Sequence, residues 1–259
     1  MSKKQVDINC DMGEGFGLWR AGDDIDAPMM ALVSSINVAA GFHAGDPSII
    51  NATILAAKQT GVGIGVHPGF RDLVGFGRRH IHAPVEELIN DVIYQLGAVR
   101  EFVHFHGLKL QHFKLHGALY MHAAKDQFFA EALVKAIHSI DPQLPILLMA
   151  GSIIERKACA IKQPFVREFY ADRAYDDSGS IVFTRDVGSL NPQEVAQKVL
   201  QACTEGTVYT VQGHTIPIEF ESICIHSDTK GALALTQEIR KVLDQAGITV
   251  TSFKQETKN

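Results

Sequence analysis

No stretch of this chain approaches the roughly 18 uninterrupted apolar residues of a membrane span, so a membrane-spanning helix is not expected. An apolar signal-peptide core is missing too. Lys3 and Lys4 run straight into Val6-Asp7-Ile8-Asn9-Cys10-Asp11, and a cytoplasmic location is the expectation. There is no excess of positive charge: 24 Lys plus Arg face 29 Asp plus Glu, a net charge of -5, which argues against a nucleic-acid partner. The four cysteines, Cys10, Cys159, Cys203 and Cys224, lie no closer than 21 positions to one another. That spacing excludes zinc ribbons and paired redox cysteines and leaves reduced thiols. Neither G-x-G-x-x-G nor G-x-x-x-x-G-K-[ST] follows a predicted strand, and no G-x-S-x-G elbow occurs. The usual signs of a nucleotide-binding open sheet and of a serine hydrolase are therefore absent.

What is present is 259 residues, 46% of them hydrophobic, enough for one domain spanning 1–259 with a large core. Short apolar runs read as strands at Val6 to Cys10, Ser35 to Val38, Val62 to Val66, Leu110 to Leu115, Pro145 to Met149, Phe165 to Tyr170 and Ser222 to Ile225. They lack the clean alternation of a half-wet sheet, which implies cover on both faces. Between them, Val85, Leu88, Ile89, Val92, Ile93, Leu96 and Val99 recur in steps of three and four, as do Leu235, Ile239, Val242 and Leu243. Asp46-Pro47 and Asn191-Pro192 mark helix starts, and Gly61 and Gly247 mark helix ends. Thr207 to Phe220 reads as a hairpin inserted before the last core strand. Seven strands alternating with helices leave an open doubly wound sheet or a closed barrel, and the missing glycine loops favour the barrel.

Nearly every predicted strand ends in ionisable or amide residues followed by glycine or proline. Asn9, Asp11 and Glu14 follow the first; His43 and Asp46 the second; His67 the third; Lys114 and His116 the fourth. Glu168, Asp172 and Arg173 close the sixth, and His226 and Asp228 the last. In a parallel sheet these ends share one face, where active sites of such folds are built. Each residue also has a bland reading. Asp46 fits a helix cap equally well, His67 a turn, and Glu168, Asp172 and Arg173 a structural ion-pair cluster. His104, His106, His112, His122 and His138 read as helix-surface residues. The rim chemistry admits two routes that the residues alone do not separate. Asp11, His43 and His67 could hold a divalent metal that activates water. A carboxylate could instead act directly as a base while Lys114 or a protonated histidine stabilises an oxyanion. Gly75-Phe76-Gly77-Arg78-Arg79 adds a flexible basic loop suited to an anionic substrate.

The blocks Asp7-Ile8-Asn9-Cys10-Asp11-Met12-Gly13-Glu14, Gly41-Phe42-His43-Ala44-Gly45-Asp46-Pro47, Val66-His67-Pro68, Gly75-Phe76-Gly77-Arg78-Arg79, Lys114-Leu115-His116-Gly117-Ala118-Leu119-Tyr120, Ala171-Asp172-Arg173 and Cys224-Ile225-His226-Ser227-Asp228-Thr229 resemble the LamB/YcsF family over about residues 4 to 253. Ser227 departs from it, standing where the family usually has glycine. The resemblance implies an α/β fold, a seven-stranded distorted (β/α) barrel related to TIM barrels and polysaccharide deacetylases. It further implies ring opening of 5-oxoproline to glutamate with ATP as co-substrate, together with partner subunits B and C. On that basis Asp11, His43, Asp46, His67, Lys114 and His116 are the expected catalytic residues. Asn9, Glu14, Arg78, Arg79, Glu168, Asp172, Arg173, His226 and Asp228 are expected around the substrate. A stand-alone metal-dependent deacetylase or amidohydrolase would use the same strand ends without ATP, and a non-catalytic sugar-binding role is the third reading. The place of ATP and any homo-oligomer stay open.

Overall fold

The computed structural model describes residues 4–20, 25–184 and 187–253. Seven strands carry the architecture: β1 (Gln5–Met12), β2 (Ser35–Ala39), β3 (Gly63–His67), β4 (His112–Phe113), β5 (Ile146–Met149), β6 (Phe165–Tyr170) and β7 (Ser222–Ile225). Each pairs in parallel with the next, and β7 returns to β1 in register from Asp7↔Ser222 to Cys10↔Ile225. The sheet therefore closes into a barrel. The expected β4 is shorter than Leu110 to Leu115, and β3 is shifted by one residue.

Parallel neighbours need long crossovers, which helices supply. The described helices are α1 (Asp26–Met30), α2 (Pro47–Thr60), α3 (Val85–Phe105), α4 (Gly117–Lys125), α5 (Gln127–Ile140), α6 (Ile153–Ile161), α7 (Pro192–Glu205) and α8 (Ala232–Gln245). Asn191 Oδ1 accepts from the N–H groups of Gln193 and Glu194, starting α7, while Gly61 ends α2 in the left-handed region. The inserted hairpin pairs Thr207–Tyr209 with Thr215–Pro217. A second small ribbon, Gly15–Phe16 with Trp19–Arg20, was not expected. No helix among the described residues is long and apolar enough to cross a membrane.

The interior of the barrel departs from the sequence reading. Along β1, Val6, Ile8, Cys10 and Met12 are buried among the apolar core side chains, whereas Asp7, Asn9 and Asp11 are bonded across the barrel. Asn9 Nδ2 donates to Glu168 and Ser222, and Asn9 Oδ1 accepts from Asn37 and Lys114. Alternation is thus present in β1 and β2, but its polar face looks into the barrel rather than into water. His112 is corrected by the same feature. It is a fully buried strand residue on β4 whose Nε2 meets Asn37 Oδ1 at 2.6 Å, not a helix-surface histidine.

Candidate active site

The polar filling of the barrel rises to the C-terminal strand ends. Lys114, extending inward just past β4, places Nζ 2.9 Å from Glu168 Oε1, 3.0 Å from Asn9 Oδ1 and 3.3 Å from Asp11 Oδ1. Burial by itself would depress this ammonium, but the surrounding anionic groups, Asp11 foremost, hold its pKa well above the ordinary lysine value. The relation is reciprocal. Burial would raise Asp11, yet His67 and Lys114 keep its carboxyl well below the usual carboxylate range. The result is an ionised carboxylate with Oδ2 3.3 Å from His67 Nε2 and 3.9 Å from His226 Nε2.

His226 is the best placed group for moving a proton. Its Nδ1 lies 3.0 Å from Asp172 Oδ1, which fixes the ring, while the residue borders the cleft with its side chain 15% exposed. Asp172 is itself fully buried and accepts from Thr229 Oγ1 (2.6 Å), with Arg173 at 2.8 Å. Burial would raise this carboxyl too, but His226 and Arg173 hold it far below the usual range. Asp172 is therefore a positioning group behind His226 rather than a substrate contact. The cleft above them is lined by Asp11, His67, Arg78, Lys114, His116, Tyr120, Tyr170, Arg173, Phe183 and His226. Its volume of about 30 Å³ is room for about one water.

Beside this cleft Glu14, His43, His67 and His116 offer ligand atoms that all lie within 4.8 Å of one another. The ligand trio expected from the sequence was Asp11, His43 and His67. The structure adds Glu14 and His116, and leaves Asp11 at the edge against His67. Burial keeps Glu14 well above the ordinary carboxyl value and His43 and His116 well below the ordinary imidazole value. The loop that follows β3 builds the wall. Asp72 accepts from Gly75 N and pairs with Arg79, and Phe76 adopts a left-handed φ of 54° that sets its carbonyl 2.8 Å from His116 Nε2.

Known proteins share this arrangement of strands and rim residues. The LamB/YcsF family model matches residues 6–258. The chain belongs to the LamB/YcsF family. It is 58% identical over 246 residues to 5-oxoprolinase A subunit 2 of Pseudomonas syringae pv. tomato, covering 95% of this chain and 98% of the relative. It is equally identical, with the same coverage, to 5-oxoprolinase A subunit 1 of Pseudomonas aeruginosa. Among solved structures, the lactam utilization protein from Thermus thermophilus superposes with a TM-score of 0.89 at 39% identity, covering 96% of this chain and all of that one.

Within this LamB/YcsF protein the rim gathers Asp11, Glu14, His43, His67, Lys114, His116, Asp172, Arg173, His226 and Asp228. Two expected residues stand apart. Both oxygens of Asp46 are engaged by backbone N–H groups, of Ser48 and Ile49 as the α2 cap and of Gly17, and it borders a separate surface hollow. The cap reading of Asp46 is the one the geometry supports. Arg79 is half exposed and bound to Asp72, whereas Arg78 borders the cleft and pairs with Asp228 at 2.6 Å. Asn9 and Glu168 are interior groups beneath the site. Tyr120 and Tyr170 were missed: their hydroxyls meet, and Tyr170 donates to Glu168 Oε2 at 3.1 Å. Both tyrosines stand in rim segments of the sequence, at the end of β6 and four residues past His116, but an aromatic at a strand end reads first as core.

Proposed function

We propose that this chain is the A subunit of an ATP-dependent 5-oxoprolinase, acting in the cytoplasm with subunits B and C to open 5-oxo-L-proline to L-glutamate. The observation that carries the reading is the Asp172–His226 pair facing Asp11, His67 and Lys114 at one cleft; the names of the full-length relatives supply the substrate. An unstrained lactam resists water because nitrogen donates its lone pair into the carbonyl. Transfer of the γ-phosphoryl group of ATP to the lactam oxygen releases ADP and makes the ring carbon electrophilic. Water adds there, the C–N bond breaks, and nitrogen leaves as an amine once protonated. A second water releases phosphate from the resulting acyl phosphate and leaves glutamate.

His226, oriented by Asp172, takes the proton of the attacking water. His67, against the Asp11 carboxylate, returns a proton to nitrogen. Lys114 keeps Asp11 ionised, and Arg78 and Arg173 are the cations for the substrate carboxylate or phosphate. The cleft must open to admit a five-membered ring, since it has room for about one water. Reconstitution with candidate B and C subunits, followed by measurement of glutamate release with and without ATP, tests the assignment. Asp11→Asn and His226→Gln should each lower turnover by about 10²–10⁴-fold while the thermal midpoint stays near that of the parent. Near-normal turnover in both would reject these roles, and glutamate release independent of ATP would reject the coupling.

A further inference from the structure

We propose that Glu14, His43, His67 and His116 bind one divalent transition-metal ion, with Zn²⁺ the best match to the donors. The backbone carbonyls decide which ring nitrogens carry hydrogen. A carbonyl oxygen can only accept, so His67 Nδ1 donates to Lys114 O (3.0 Å) and His116 Nε2 donates to Phe76 O (2.8 Å). The remaining nitrogens, His67 Nε2 and His116 Nδ1, then face each other at 3.0 Å. Around them are Asp11 Oδ2, 3.3 Å from His67 Nε2, and Glu14 Oε1, 3.4 Å from both His116 Nδ1 and His43 Nε2. Lone pairs converge with too few hydrogens among them, and a cation belongs at their centre. Glu14 Oε1 and both ring nitrogens of His43 are buried without a hydrogen-bond partner, a costly arrangement unless a ligand completes it.

The spacing suits a metal. Bonds of about 2.0–2.1 Å in a tetrahedral zinc site put neighbouring ligand atoms about 3.3–3.4 Å apart. Three imidazoles and one carboxylate, with no sulfur, suit Zn²⁺ among the common ions. The backbone makes room for the rings: a Cβ on Gly69 would come 2.6 Å from His43 Nδ1, and one on Gly77 2.8 Å from both His43 Cβ and His116 Cδ2. One adjustment is required. The His43 and His116 rings stack in parallel, centroids 3.8 Å apart and 2° from coplanar, so both lone pairs cannot meet one ion until a ring turns. His43 makes no hydrogen bond that would hold its ring, and it is the one that turns. A proton on His67 Nε2 is the competing occupant, and metal binding displaces it.

This metal site deepens the reading of the rim as a reaction centre and rests on that reading for its catalytic meaning. Binding itself is measured on the full chain alone, without substrate, ATP or partner subunits, so either result can fail without the other. The chelator-treated protein is titrated with Zn²⁺ against a chromophoric competitor, and with Co²⁺ followed by its visible spectrum. One ion per chain should bind, with proton release near neutral pH and a Co²⁺ spectrum of nitrogen and oxygen ligation. Glu14→Gln and His116→Gln should weaken binding by more than about 100-fold, beyond the roughly 10–100-fold of an outer-shell loss. His80→Ala tests the exposed alternative, where the His80 ring lies 4.6 Å from that of His82 and 4.9 Å from that of His122, and should change nothing. Failure of the parent chain to bind a stoichiometric ion overturns the proposal, whether or not a variant folds. Binding lost in His80→Ala, or kept in both rim variants, overturns it as well.

Discussion

Asp7 lies deep in the barrel, 1% exposed, where its carboxylate accepts from the hydroxyls of Ser34, Ser35 and Ser222. Burial lifts its pKa from the ordinary 3.8 to about 6, against the pull of those hydroxyls. Below about pH 4 both the folded and the unfolded chain hold this proton, and the group is neutral in its effect. From about pH 4 to about 6 the folded chain keeps a proton that the unfolded chain has released, so stability falls as pH rises. At about 1.4 kcal/mol per pH unit, the full cost above pH 6 is about 3 kcal/mol. Asp7→Asn removes the ionisation. Its altered hydrogen bonding with the serines adds an offset that does not depend on pH, so the pH dependence isolates the charge. In urea unfolding across a pH series, the stability of the variant relative to the parent should rise by about 3 kcal/mol between about pH 4 and 7 and then level off. A difference that stays flat over this range would refute the reasoning, since it would mean that the three hydroxyls already offset the burial.

Asp46→Ala should cost about 1 kcal/mol of stability from the lost α2 cap while the reconstituted complex keeps its turnover; collapse of turnover at an unchanged thermal midpoint would return Asp46 to the active site. Lys114→Met leaves Asp11 and Glu168 buried without their shared cation, and urea unfolding should show a loss of about 3–5 kcal/mol at about pH 7 that shrinks as acid protonates the carboxyls. An equal loss at about pH 5 and about pH 7 would contradict that electrostatic account. Gly77→Ala meets both a left-handed φ of 62° and crowding against His43 and His116, whereas Gly61→Ala meets only a φ of 75° in open space. Both should lose about 1 kcal/mol or more for the backbone, with the further loss at Gly77 read as a lower thermal midpoint. Equal midpoints would show that the ring cradle yields freely.

The strand pattern was legible from local composition. Phe165 to Tyr170 and Ser222 to Ile225 were placed with their observed bounds, and the Asn191 and Gly61 signals fell at real helix ends, because capping and left-handed turns depend on a few neighbouring residues. The convergence of Asp11, His67, Lys114, His116 and His226 was also accessible, since parallel strands bring their C-terminal ends to one face whatever lies between them. Other features follow from which strand lies across the barrel. The inward direction of Asp7, Asn9 and Asp11 was hidden because a polar residue every second position reads as a solvent face; only closure of β7 on β1 turns that face inside. The same closure buried His112 and set Glu168 beneath Lys114. Sequence placed Arg78 and Arg79 on equal terms, and loop packing sent one to the cleft and the other to Asp72. The sequence by itself determined the strands, the caps and the chemical types at the rim, all governed by short-range preferences. Which histidine nitrogen meets a carbonyl, and which is left aimed at a carboxylate, was decided only by the tertiary structure, because those contacts join residues dozens of positions apart at distances of about 3 Å.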